Sequence, residues 1–148
     1  MKRIIPALVC GILAAGRAEA QAPTQIPWDA PPAAARAQLL QAGFSVAGTD
    51  TAATYTRSAG RVREQVYIRR RGGQLWSITY SAVGDSASLQ AKLDDVASGQ
   101  VARAGAGQAN GPLRVWNTEG GRRLALPTHP FLLPDGATWQ FMIVYSRP

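Results

Sequence analysis

Between Arg61 and Ala82 the hydrophobic positions alternate with polar ones on either side of Gly72-Gly73. A period of two belongs to a strand with one face buried, and a Gly pair supplies the positive φ that two-residue hairpin turns require. The segment therefore predicts a β-hairpin at the centre of a sheet. Its first strand puts Val62, Glu64, Val66 and Ile68 on one face, and Arg63, Gln65, Tyr67, Arg69 and Arg71 on the other. Strict alternation on the return strand puts Trp76, Ile78, Tyr80 and Ala82 together, opposite Leu75, Ser77, Thr79 and Ser81.

Helical spacing marks two further stretches. Ala33 to Ala42 is rich in Ala and Leu, follows Pro31-Pro32, and is stopped by Gly43-Phe44. Proline suits a first helical turn, and Gly followed by an apolar residue suits a Schellman stop with Phe44 packed back on Leu39, so a helix is expected over 32–42. Asp29 is a candidate cap or favourable first-turn charge for it, and Trp28 a candidate staple. Asp85 or Ser86 caps a second helix. Leu89, Leu93, Val96 and Val101 form its buried stripe, with Lys92, Asp94 and Asp95 on its wet face. Short β-prone runs occupy 44–47, 53–57, 113–117 and 122–126, and the most apolar one, Trp139 to Tyr145, is expected to be central or well covered. Gly105 to Gly111 reads as loose chain, and Pro127 to Asp135, with three prolines, as a loop.

The element order is thus α-β-β-β-β-α-β-β-β. It implies an α+β fold with a mostly antiparallel sheet of about six to seven strands and both helices on one face. The two halves share this pattern without a residue-level repeat. The order resembles that of small exported inhibitor and assembly proteins, the β-lactamase-inhibitor-like domains among them. That resemblance is one of architecture, carried by no shared motif, and it implies no particular activity.

The first residues change the picture. Met1-Lys2-Arg3 is basic, Ile4 to Gly16 is an apolar run of thirteen residues, and Ala18, Ala20 and Ala22 stand at Ala-x-Ala spacing. This is the form of a secretory signal peptide over residues 1–22, cleaved near 20–22, and it predicts a periplasmic or secreted protein. The run is too short for a good membrane anchor. Residues 23–30 are expected to be a flexible lead-in, and residues 31–148 a single domain. Cys10 lies inside the apolar run behind Val9, which does not fit a lipidation site. Its removal leaves a chain without cysteine, hence without disulfides, thiolate ligands or a cysteine nucleophile. Loss of Lys2, Arg3, Arg17 and Glu19 lowers the formal net charge from +7 to +5, and Lys92 is the only lysine that remains.

Candidate chemistry is sparse. Val83-Gly84-Asp85-Ser86 contains the Gly-Asp-Ser of one esterase class at a strand-to-helix junction. Such a serine needs a histidine held by an acid, and the single histidine, His129, has Leu126 where that class places its Asp. Asp85-Ser86 is therefore read as turn and cap. One histidine without cysteines does not make a zinc site. Asp94 and Asp95 diverge by about 100° on a helix and cannot share a proton or a metal. The glycines at 105, 107 and 111 do not have dinucleotide-loop spacing. Glu64, on an apolar face, would be raised in pKa by desolvation unless an arginine such as Arg57 pairs with it. It is a candidate general acid, or an ion pair across strands. No cofactor or metal is expected.

That leaves surfaces. Arg63, Gln65, Tyr67, Arg69 and Arg71 share one strand face and form the candidate binding set. Trp76 and Trp139 fit the core better than a sugar platform. The sequence points to a non-catalytic exported domain that binds another envelope protein. The alternative is a binder of anionic lipid headgroups or glycans through the arginine face, and the remote alternative is a small hydrolase using Ser86 or Glu64. Nucleic acid is disfavoured by export.

Overall fold

Each half of the chain folds as one helix followed by an antiparallel meander. The computed structural model describes residues 31–49, 51–118 and 121–147. The signal-peptide and lead-in expectations, with Trp28 and Asp29, lie outside these residues. So do Asp50, Glu119 and Gly120 of two expected turns. In chain order the elements are α1 (Pro32–Gln41), β1 (Ser45–Gly48), β2 (Ala52–Ala59), β3 (Val62–Arg71), β4 (Gln74–Gly84), α2 (Ser86–Ala104), β5 (Gln108–Asn110), β6 (Leu113–Thr118), β7 (Arg122–Pro127), β8 (Phe131–Leu132) and β9 (Trp139–Ser146). The strands form one antiparallel sheet of order β1-β2-β3-β4-β9-β7-β6-β5, with β8 paired to β9. The α+β class and the antiparallel sheet agree with the sequence pattern. Two short strands, β5 and β8, stand where loose chain and loop were expected. Three and two residues long, they carry no alternation of their own and are strands only because β6 and β9 pair with them.

The strand order places the last strands of the two halves, β4 and β9, side by side at the centre. The two halves thus meet in the middle of the sheet through their last strands. β9 is central, as its apolar run implied.

Local chemistry sets the ends of the elements. α1 closes with both bonds of a Schellman motif, Phe44 N–H to the Leu39 carbonyl and Gly43 N–H to the Leu40 carbonyl, each 3.0 Å, with Gly43 at φ 84. The N-cap position is Pro31, whose side chain makes no cap bond. Gly72 and Gly73, at φ 57 and 75, make the β3–β4 turn between the paired residues Arg71 and Gln74. Asp85 caps α2 by accepting from Ser88 N–H at 2.9 Å. That bond, with one from the Ser88 side chain, holds the Asp85 carboxyl below its ordinary range. α2 continues through Gly99 to Ala104, because tertiary packing outweighs one glycine's propensity.

Both helices pack on one face. Ala35 and Leu39 of α1 and Leu89 and Leu93 of α2 join Tyr55, Val66, Ile78, Tyr80, Phe141 and Ile143 in a single buried cluster. The Tyr80 ring meets Phe141 edge-on, with centroids 5.7 Å apart. Two expectations about side-chain direction are overturned. Val101 is exposed, and the α2 stripe ends instead on buried Gln100. On β4, Leu75 is buried with Ile78, Tyr80 and Ala82, while Trp76 is only half-buried. The cause is a β-bulge. Arg69 pairs with Ser77 but Arg70 pairs with Leu75, so Trp76 is an extra residue and the alternation changes phase there.

Candidate functional site

The opposite face of the sheet carries no described helix. The regular alternation of β3 puts Arg63, Gln65, Tyr67, Arg69 and Arg71 all on this open face, each of them exposed. Directly paired residues of an antiparallel sheet lie on the same side, so the register extends the face across the other strands. One row runs Ser58, Arg63, Val83, Gln140, Phe131. A second runs Ser45, Thr56, Gln65, Ser81, Met142. A third runs Ala52, Arg69, Ser77, Ser146, Arg123, Asn117. The bulge turns Trp76 out to the same side, where the Arg71 guanidinium sits 5.3 Å from its ring centroid. Tyr67 (37% exposed), Met142 (42%) and Phe131 (45%) stand free among these polar groups.

No described carboxylate lies on this face. Among the described residues, Arg63, Arg69 and Arg123 form no ion pair. Glu64 points the other way, Asp85 caps a helix, Asp94 and Asp95 lie on α2, and Asp135 closes a turn onto Thr138. From Arg63 to Arg71 the guanidinium row spans roughly 27 Å at the usual strand rise. Sequence reasoning named the five β3 residues. It missed Thr56, Ser81, Arg123, Phe131, Gln140 and Met142, which no local signal ties to β3; only the strand order brings them there.

Behind this face lies a buried ionic cluster. Glu64, 1% exposed, accepts from Arg57 Nε at 2.7 Å and from the Tyr80 hydroxyl at 2.5 Å, and its other contacts are Arg57 Nη2 at 2.6 Å and Lys92 Nζ at 2.8 Å. Arg57 also donates to the Ala42 carbonyl at the end of α1 and stacks on Phe44, 4.4 Å from the ring centroid. Arg57 is the partner the alternation suggested. Lys92 is not on the wet face of α2 but turned in toward the sheet. Burial pushes the Glu64 carboxyl up, but hydrogen bonds from Lys92, Tyr80 and Arg57 and the Lys92 charge outweigh it and hold the group below its ordinary value of 4.5. Burial, with the bond to Glu64, raises the Tyr80 hydroxyl far above its ordinary value. A carboxyl kept ionised and inaccessible is an anchor, not an acid poised to donate.

A pH dependence follows. A carboxyl with a depressed folded-state pKa stabilises the fold above the ordinary carboxylate range, and that stability is lost as the pH falls through its folded value. The native protein's resistance to urea should therefore fall below about pH 4.5, and Glu64→Gln should be less stable at pH 7 with a flatter acid limb. Equal acid sensitivity of the two proteins would count against the assignment.

Ser86 begins α2 next to its cap, and His129 is exposed in the loop after β7. Among the described residues no hydrogen bond joins them, and no group of three or more His, Cys, Asp and Glu could hold a metal. No described helix is long and apolar enough to cross a membrane. No protein-family model matches the chain, and neither the curated proteins nor the solved structures contain a match to it.

Proposed function

We propose that this chain is an exported, non-catalytic binding domain, and that it docks an acidic surface of another envelope protein through the open sheet face. The reading is carried by one observation: that face combines Arg63, Arg69, Arg71 and Arg123 with Tyr67, Trp76, Phe131 and Met142, and bears no described carboxylate. Enrichment in arginine, aromatics and methionine with depletion of Lys, Glu and Asp is what sets protein-binding patches apart from ordinary surface. Unpaired guanidinium groups call for negative charge opposite them. A row roughly 27 Å long favours an extended surface over one small ligand. Export rests on the signal-peptide pattern of residues 1–22.

The test uses the native protein and the triple variant Arg63→Ala/Arg69→Ala/Arg71→Ala as baits in envelope extract at low salt. The native bait should retain an acidic protein. In purified form that protein should bind it with salt-dependent affinity, and the triple variant about 100-fold more weakly, about 2.8 kcal/mol in total, as when one of the three arginines is a hot spot of about 2 kcal/mol and the other two contribute less. A partner bound equally by both baits would remove the open face from the interaction. Lipid or polysaccharide retained by the native bait alone would replace the protein partner with anionic envelope material.

A further inference from the structure

We infer that the depression at the Arg63 end of the open face is a carboxylate pocket that receives one Glu or Asp side chain of the docked protein. This inference rests on the docking reading above and names its point of attachment. The depression holds about 230 Å³ and is lined by Thr56, Arg63, Gln65, Ser81, Val83 and Gln140. The sheet register builds it. Thr56, Gln65 and Ser81 are consecutive members of one cross-strand row, and Arg63, Val83 and Gln140 of the next.

Its chemistry is one-sided. Every polar side chain lining it can donate, and none is acidic. Ser81 lines the hollow, and its hydroxyl, open to solvent there, forms no hydrogen bond with another described residue. The side chains of Arg63, Gln65 and Gln140 likewise form no hydrogen bond or ion pair there, and Thr56 alone is engaged, with the Ser45 hydroxyl at 3.2 Å. A hydroxyl, two amides and a guanidinium that face one hollow without a partner among the described residues are donors left free for a ligand. A carboxylate meets it. Its two oxygens take the guanidinium fork in a bidentate pair, and their remaining lone pairs suit the amide and hydroxyl donors. Only one cation lines the hollow, which matches a monoanion better than a phosphate dianion. Arg69 is roughly 20 Å further along the strand and cannot supply a second charge.

The experiment is a low-salt NMR titration of the labelled full chain with acetyl-Gly-Glu-Gly-amide, its Gln counterpart and inorganic phosphate. The Glu peptide should shift the Arg63 Nε–H and the Gln65 and Gln140 side-chain amides saturably, at least tenfold more tightly than the Gln peptide or phosphate. Arg63→Gln should abolish the shifts. Ser81→Val, which fills the hollow without changing a charge, should weaken them several-fold while Arg63 remains. Equal response to the Glu and Gln peptides, shifts centred on Arg69 and Arg71, tighter binding of phosphate, or insensitivity to Arg63→Gln would each overturn the inference. Its failure is separable from that of the docking reading. If the partner's binding depends on Arg69 and Arg71 but the peptide does not bind, the pocket falls alone. If the peptide binds but no partner depends on the face, docking falls alone.

Discussion

Replacing Glu64 with Ala is expected to cost about 3 kcal/mol of folding stability, near the low end of what breaking a buried charge cluster costs. The substitution leaves Arg57 and Lys92 facing each other and the Tyr80 hydroxyl without its acceptor. Tyr80 is 1% exposed and cannot reach water, so its orphaned hydroxyl adds about 1–3 kcal/mol by itself. The two cations are partly exposed and can swing outward, which keeps the loss from reaching the upper end. Domains of this size total about 5–15 kcal/mol, so the variant should be marginal at 37 °C. Urea unfolding at pH 7 would show a lower midpoint with an unchanged slope. A loss below about 1 kcal/mol would mean that the cluster contributes little beyond its packing.

The cluster also bears on the open face. Glu64 lies between Arg63 and Gln65, and its partners come from β2, β4 and α2. A one-residue slip of β3 would send Glu64 to solvent and turn Arg63 and Gln65 into the core. Anchoring Glu64 at four donors therefore fixes which β3 residues face outward.

Gly107→Ala should be nearly as damaging, at about 2–4 kcal/mol, for two additive reasons. Gly107 has φ +70, where a side chain is strained, and a Cβ there would lie 2.5 Å from Trp116 Cε2 and 2.9 Å from two neighbouring ring atoms. The ring cannot withdraw easily. Trp116 is buried, and its indole N–H donates to the Gly105 carbonyl at 2.8 Å. Gly111→Ala is the matched control. Its φ is +58 but nothing lies within 4 Å of the added carbon, so it should cost only the backbone term of about 1 kcal/mol. Similar losses in thermal or urea unfolding would assign the whole effect to backbone conformation and remove the Trp116 contact from the account.

Trp116 and Gly107 show where sequence reading stops. Gly107 stood out only as a glycine lacking nucleotide-loop spacing, and nothing nearby announces a ring against its Cα. β5 and β8 were hidden for a related reason: strands of three and two residues are defined by a partner, not by their own pattern. The bulge at Trp76 was equally silent, because an added residue shifts the phase of alternation without changing composition. Lys92 sat one position from Leu93 on a helix whose wet and dry faces meet there, and only the approach of Glu64 decides which side it takes. The five β3 residues were legible because ten residues alternate without interruption. The hollow beside Arg63 was not, since its lining comes from β2, β3, β4 and β9.

The amino-acid order alone fixes what depends on near neighbours: the Gly72-Gly73 turn, the Gly43 stop, a cap at Asp85 or Ser86, the two helices, and the side to which each β3 residue points. Each follows from φ preferences, capping bonds or a short period that a few consecutive residues satisfy by themselves. The tertiary structure decides what depends on residues far apart: β9 beside β4, the four-donor seat of Glu64, the phase of β4, and the hollow of Thr56, Arg63, Gln65, Ser81 and Gln140. Those features arise from burial and pairing between strand residues up to 69 positions apart, as with Ser77 and Ser146. They carry no local signature because the free energy that selects them is a property of the assembled sheet.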